Sequence, residues 1–192
     1  MALVEAVDGL FGVLDAGEIP AHTADWSNGL VAVMSSGALI ATGVSDGPVR
    51  VTVATSAGPP PPPSDRWDGW EEVIEVTVHA PTGRLRVQSL ELGDVHDLPV
   101  LSTRGSGPYR LRLHARGRTL APGKVCDEPV EDYLLHLWPA GPPDETRILR
   151  ASEEIERSLR TPAPPPGPDP HAPDARTIVE RERLLRGGNP PG

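Results

Sequence analysis

The side chains best equipped for chemistry gather in residues 65–75. Asp65, Asp68, Glu71, Glu72 and Glu75 are interleaved with Trp67 and Trp70 in the run DRWDGWEE and the strand start that follows it. Two carboxylates held at a fixed separation can serve as the acid and base of glycoside hydrolysis, and several hard oxygens together can hold a divalent cation. The same composition, aromatic anchors ringed by acids, also suits a protein-contact patch. As local structure alone it is a turn leading into a strand, with the indoles folded back onto the sheet.

The other reactive residue types carry no motif. The six histidines, His22, His79, His96, His114, His136 and His171, contain no H-x-x-x-H or H-x-H pair that would place two imidazoles on one metal. There is no G-x-S-x-G nucleophile elbow, and Gly105-Ser106-Gly107 reads as the turn before a strand. Cys126 lies beside Asp127 and Glu128, whose negative charge disfavours the thiolate. No G-x-x-x-x-G-K-[ST] loop surrounds Lys124. The residues predict no cofactor, no metal site and no catalytic residue.

Charge is the stronger signal. The chain has 192 residues and a formal net charge of −9. Residues 1–75 hold eleven acids against Arg50 and Arg66, whereas residues 76–192 hold sixteen acids and sixteen bases. The excess negative charge therefore belongs to the front of the chain. Such a distribution keeps a protein soluble, and it also steers association with a basic partner. It disfavours direct nucleic-acid binding, which needs clustered positive charge. A single cysteine points to a reducing cytoplasm. The N-terminus lacks the basic segment of a secretory signal, and no apolar run is long enough to span a membrane. One lysine against seventeen arginines, with abundant Ala, Gly and Pro, looks like high-GC bacterial coding.

The elements that must position these residues are strands. In GPYRLRLHARGR, Tyr109, Leu111, Leu113 and Ala115 alternate with Arg110, Arg112, His114 and Arg116, so one set faces a core and the other faces water. Ile74, Val76, Val78 and Ala80 repeat the pattern against Glu75, Thr77 and His79, and Val49, Val51 and Val53 repeat it against Arg50 and Thr52. A first strand is expected from Leu3 to Leu14, with Gly9 and Gly12 as bends. Gly29–Met34 and Ala38–Thr42 read as a hairpin, Leu85 and Val87 as the hairpin partner of the Trp70–Ala80 strand, and Tyr133–Leu137 as the last strand. About eight strands joined by turn signals predict an all-β antiparallel β-sandwich over residues 1–140. The prolines of 58–63 favour an extended surface segment. Residues 141–160 form a C-terminal extension with a short helix capped by Ser152. Residues 161–192 are expected to be a disordered Pro-rich tail with a short helix at 175–186.

Taken in order, several of these segments resemble a known family. They are Phe11-Gly12-Val13, Asp25-Trp26, the paired strands from Gly29 to Thr42, the valines of Val49 to Val53, the Gly83–Leu90 strand, Leu98-Pro99 and Gly107-Pro108-Tyr109-Arg110-Leu111. Over about residues 3–138 the chain resembles the competence protein J family, small β-sandwich inhibitors of a DNA-entry nuclease in Gram-positive bacteria. The resemblance implies a cytoplasmic, non-enzymatic binder of a basic nuclease or toxin, of immunity type. On charge and aromatic content, Asp25, Trp26, Asp65, Trp67, Asp68, Trp70, Glu71 and Glu72 are its candidate contact residues. Two other classes stay open: an accessory β module tethered through residues 161–174, and a hydrolase using the acids of 65–75.

Overall fold

A computed structural model describes residues 1–61, 69–142 and 144–160. The expectations for the tail, and those for Asp65, Trp67 and Asp68, lie outside these described residues. The chain is mostly β. Strands β1 (Ala2–Ala6), β2 (Leu10–Asp15), β3 (Val31–Val33), β4 (Ala38–Ala41), β5 (Gly47–Thr55) and β6 (Glu72–Ala80) come first. They are followed by β7 (Leu85–Ser89), β8 (Gly93–Asp94), β9 (Gly107–Arg116), β10 (Asp132–Pro139), β11 (Arg147–Arg150) and helix α1 (Glu153–Arg160). One sheet has the order β1-β5-β10-β9-β6-β11 and the other β3-β4-β2-β7-β8.

The alternating patterns fix which faces meet. Val49, Val51, Ile74, Val76, Leu111, Leu113 and Leu135 of the six-stranded sheet share one buried cluster with Phe11, Val13, Ile40 and Leu85 of the five-stranded sheet. Phe11 packs edge-on against Tyr133 across this interior, with ring centroids 5.1 Å apart.

Among the described residues, eleven strands form where eight are expected. The stretch Leu3–Leu14 is two strands, because Asp8 and Gly9 both take positive φ (51° and 75°). Val7 and Leu10 exchange both backbone hydrogen bonds across this two-residue turn. Asp-Gly with both φ positive matches a type I′ turn, and it passes the chain from one sheet to the other. Strands β8 and β11 are the other two additions. One pair departs from the antiparallel expectation: β5 and β10 run parallel, Asp132 opposite Arg50 through Leu137 opposite Thr55. Strands β6 and β7 also fall in different sheets, so they are not hairpin partners. Glu75 and Thr77 instead face Arg112 and Arg110 across the β6–β9 ladder.

Residues 144–160 add to this body. Strand β11 pairs with β6, Arg147 opposite Glu75. Helix α1 begins at Ser152, whose hydroxyl accepts the Ile155 N–H at 3.3 Å and also donates to Glu72. The helix presents one residue, Ile155, to the shared cluster, where it is fully buried. Burying an isoleucine among packed side chains contributes a few kcal/mol. Ile155→Ala is therefore expected to lower unfolding stability by about 2–4 kcal/mol, read from the midpoint of a urea titration. An unchanged midpoint would show that α1 is not part of the cooperative unit.

Candidate functional site

The structure distributes the sequence-named residues rather than gathering them. Asp25 forms an isolated bridge with Val33 at the edge of the five-stranded sheet, and its carboxylate accepts the Ser27 N–H at 2.8 Å. Trp26 packs on a small cluster of Leu14, Ala32, Met34 and Leu39. Trp70 and Glu71 lead directly into β6 of the other sheet. The Trp70 ring lies under the Arg116 guanidinium, 5.1 Å from its centre, and beside His114 at 5.5 Å. Glu71 accepts the Gly117 N–H at 2.9 Å.

Glu72 points inward at one end of the core. Arg118 Nη1 donates to both of its carboxylate oxygens at 2.9 Å, and both residues are buried. Glu131 lies fully buried among the same charged groups. It accepts the N–H groups of Gly43 and Val44 and the Tyr133 hydroxyl at 2.5 Å. Burial first, then the Glu131 charge, raises the Tyr133 phenol well above its ordinary range, which keeps it a donor. Gly43 is required by close approach: a Cβ there would fall 1.8 Å from the Arg118 carbonyl oxygen. Glu75 points the opposite way, out of the sheet, and Arg112 Nε donates to it at 2.6 Å. Glu71, Glu72 and Glu75 thus each meet a different partner and do not converge as the paired carboxylates of a hydrolase would.

The outer side of the six-stranded sheet is not open to water as its alternation suggests. After β10 the chain turns back over it. Arg110 Nη1 donates to Thr77 Oγ1 (3.1 Å) and to the Asp144 carbonyl (3.0 Å), and Nη2 donates to the Glu145 carbonyl (2.6 Å). Arg112 Nη1 reaches the Pro61 carbonyl at 3.3 Å, and its guanidinium sits 5.7 Å from the Trp138 ring centre. Further along, Asp132 takes hydrogen bonds from Arg50 (2.7 Å) and Arg116 (2.9 Å). Burial opposes its ionised form, but the two arginines outweigh it and hold the carboxyl below its ordinary range. Ser56 Oγ lies 3.0 Å from His136 Nε2, but its proton goes to the Gly58 carbonyl at 2.6 Å. That hydroxyl is therefore not poised to lose a proton to the imidazole.

A second surface, missed by the sequence reading, lies at the loop end. Three loops are laced together there: Gly9 N–H to the Ser45 carbonyl (2.6 Å), Ser45 N–H to the Lys124 carbonyl (2.9 Å), and Cys126 N–H to the Asp46 carbonyl (2.9 Å). The Asp8 N–H donates to the Asp46 carboxylate at 3.2 Å. This lacing brings the Asp8 and Asp46 segments beside the loop that carries Lys124, Asp127 and Glu128. On the same loop Val125 is 73% exposed and Leu120 69% exposed. The only sequence signal was the acidic run 127–132, which reads by itself as a solvated loop.

No protein-family model, curated protein or solved structure matches the chain. Among the described residues, no cluster of three or more His, Cys, Asp or Glu side chains is placed to hold a metal ion, and no helix is long and apolar enough to cross a membrane.

His114 gives the outer face a pH dependence. Its Nδ1 is buried and has no hydrogen-bond partner among the described residues. Burial, then Arg112 and then His136, push its pKa from 6.5 to about 4. The unfolded chain therefore binds this proton more readily than the folded one between those two values. The stabilising effect of the neutral ring is complete above pH 6.5 and is lost as pH falls toward 4. The expected result is an imidazole titration midpoint near 4 by NMR. His114→Leu should also make stability fall less steeply across that window in denaturant titrations run at successive pH values.

Proposed function

We propose that this chain is a β-sandwich module that acts without catalysis, binding a basic nuclease or toxin in the bacterial cytoplasm and occluding its cleft. The observation that supports this reading is the loop end. Backbone hydrogen bonds bring the segments of Asp8 and Asp46 beside the 117–130 loop, which carries Asp127, Glu128 and Lys124 and the exposed Val125 and Leu120. Exposed apolar side chains on a loop that also carries acids make a surface suited to a protein of opposite charge. A nuclease cleft, built to attract phosphate, is such a partner. The resemblance of residues 3–138 to the competence protein J family points to the same class of target.

In this mechanism the carboxylates accelerate encounter and the apolar pair supplies the dry centre of the contact. The anchors are then Val125 and Leu120. Trp26 and Trp70 are partly used in packing, the first on the small cluster and the second against Arg116 and His114. Asp25 and Glu71 contribute to the surrounding field. A hydrolase reading draws no support from Glu71, Glu72 and Glu75, which are separately engaged.

The test is inhibition of a purified basic DNA-entry nuclease. Full-length protein is expected to slow DNA cleavage at about 50 mM salt and to lose that effect toward about 500 mM, because steering between charged surfaces is screened. The double variant D127K/E128K should slow association by about tenfold without changing the thermal midpoint. Absence of binding by the wild-type protein at low salt, or an unaltered association rate in the double variant, would sink the proposal.

A further inference from the structure

Between the sheet and the chain that folds back over it is a depression of about 560 Å³, lined by Glu75, Arg110, Arg112, Trp138, Asp144 and Arg147, with a rim of Pro59 and residues 139–142. Its volume falls within the range typical of small-molecule pockets. It is distinct from the loop end, and neither the charge pattern nor the family resemblance assigns it a role.

Two kinds of accounting describe what it would hold. The first is charge. Three guanidiniums face two carboxylates, so the lining carries one uncompensated positive charge within a chain of net charge −9. The second is hydrogen bonding. A guanidinium offers five N–H donors. Arg110 uses three of its five on Thr77 and the carbonyls of Asp144 and Glu145. Arg112 uses Nε on Glu75 and one Nη1 donor on Pro61. Arg147 uses Nη2 on Asp144 at 2.8 Å, and over half of its side chain is exposed. The remaining donors of Arg112 and Arg147 meet no acceptor among the described residues. Glu75, in turn, fixes Arg112 from behind, and the Trp138 ring packs against its guanidinium. A preorganised guanidinium with unused donors in a recess is a receptor for a planar oxoanion.

We propose that this depression binds a small monocarboxylate with an apolar body. The carboxylate would take the donors of Arg112 and Arg147, and the body would lie against Trp138 and the proline rim. One negative charge neutralises the lining, whereas a phosphate dianion would overshoot it. The prolines have no N–H to offer, so the walls suit apolar rather than polar groups.

The experiment is a titration of the full-length protein, following the Trp138 indole N–H and the Arg112 Nε–H by NMR. Benzoate is the probe, benzamide its neutral counterpart and inorganic phosphate the dianion. Benzoate is expected to shift both resonances saturably below about 20 mM, a range that reads millimolar affinity. Benzamide should not shift them, and phosphate should act more weakly than benzoate. Arg147→Gln, a substitution at an exposed position that leaves the buried pair intact, should weaken benzoate binding at least about fivefold. Three results would each overturn the assignment: no saturable shift with benzoate, equal shifts with benzamide, or undiminished affinity in R147Q. Preference for phosphate would reject the carboxylate in favour of a dianion.

Discussion

Glu75 sets the terms for the outer half of the molecule. Its carboxylate is buried on the face of a sheet that alternation assigns to water, and a buried carboxylate must be met by positive charge and hydrogen bonds. Arg112, directly opposite on β9, supplies both at 2.6 Å, and Arg110 adds its charge at 3.8 Å. That solution creates a second demand, because two guanidiniums now share one carboxylate. The returning chain answers it with the carbonyls of Asp144 and Glu145 and with β11 alongside β6. Removing one member of such a cluster leaves a desolvated charge behind, at a cost of about 3–5 kcal/mol. Strand β11 is thus held as much by the needs of Arg110 as by its own short ladder.

The opposite side of the same sheet resolves a similar problem differently. Glu72 and Glu131 point inward near the end of the core, and Arg118 is the guanidinium between the strands and the helix. Glu131 is satisfied by two backbone N–H groups and the Tyr133 hydroxyl, so it needs no cation of its own. Glu72 joins Arg118 to Ser152, the residue that caps α1. Each charge is tied to an element boundary: the 42–44 bend, the strand entry at Glu72, or the helix start. The buried polar groups therefore specify where elements begin, while the apolar cluster between the sheets supplies most of the driving force.

Much of the two-sheet body was legible because strand alternation survives single-sequence reading. The inward sets of β5, β6, β9 and β10 are those that the period of two selects. What alternation could not reveal is what lies over the other face. The contacts that bury Arg110 come from carbonyls more than thirty residues away, and no local pattern encodes them. The split of the first stretch was encoded, in Asp8-Gly9, but a continuous apolar run masked the turn. Glu71, Glu72 and Glu75 illustrate the limit for sites. Their clustering in sequence suggested convergence, yet residues two apart on a strand share a face and neighbours do not. Glu72 and Glu75, three apart, must point to opposite sides. The loop-end surface is assembled from three segments, two of them separated by more than seventy residues, so only the folded chain brings its acids together.

This partition of charge decides what the net −9 can do at a distance. Glu72 and Glu75 are neutralised within a few ångströms, and such pairs contribute little field beyond a Debye length of about 8 Å. Asp15 is likewise buried, turned toward the N–H groups of Thr82 and Arg84. The acids that remain outside, at the loops, therefore dominate the potential felt by an approaching molecule. Such a field disfavours the approach of polyanions, and any attraction from the arginines lining the recess would act only at short range. A long-range acidic surface and a short-range cationic recess can coexist on one small body because screening separates the distances over which they act.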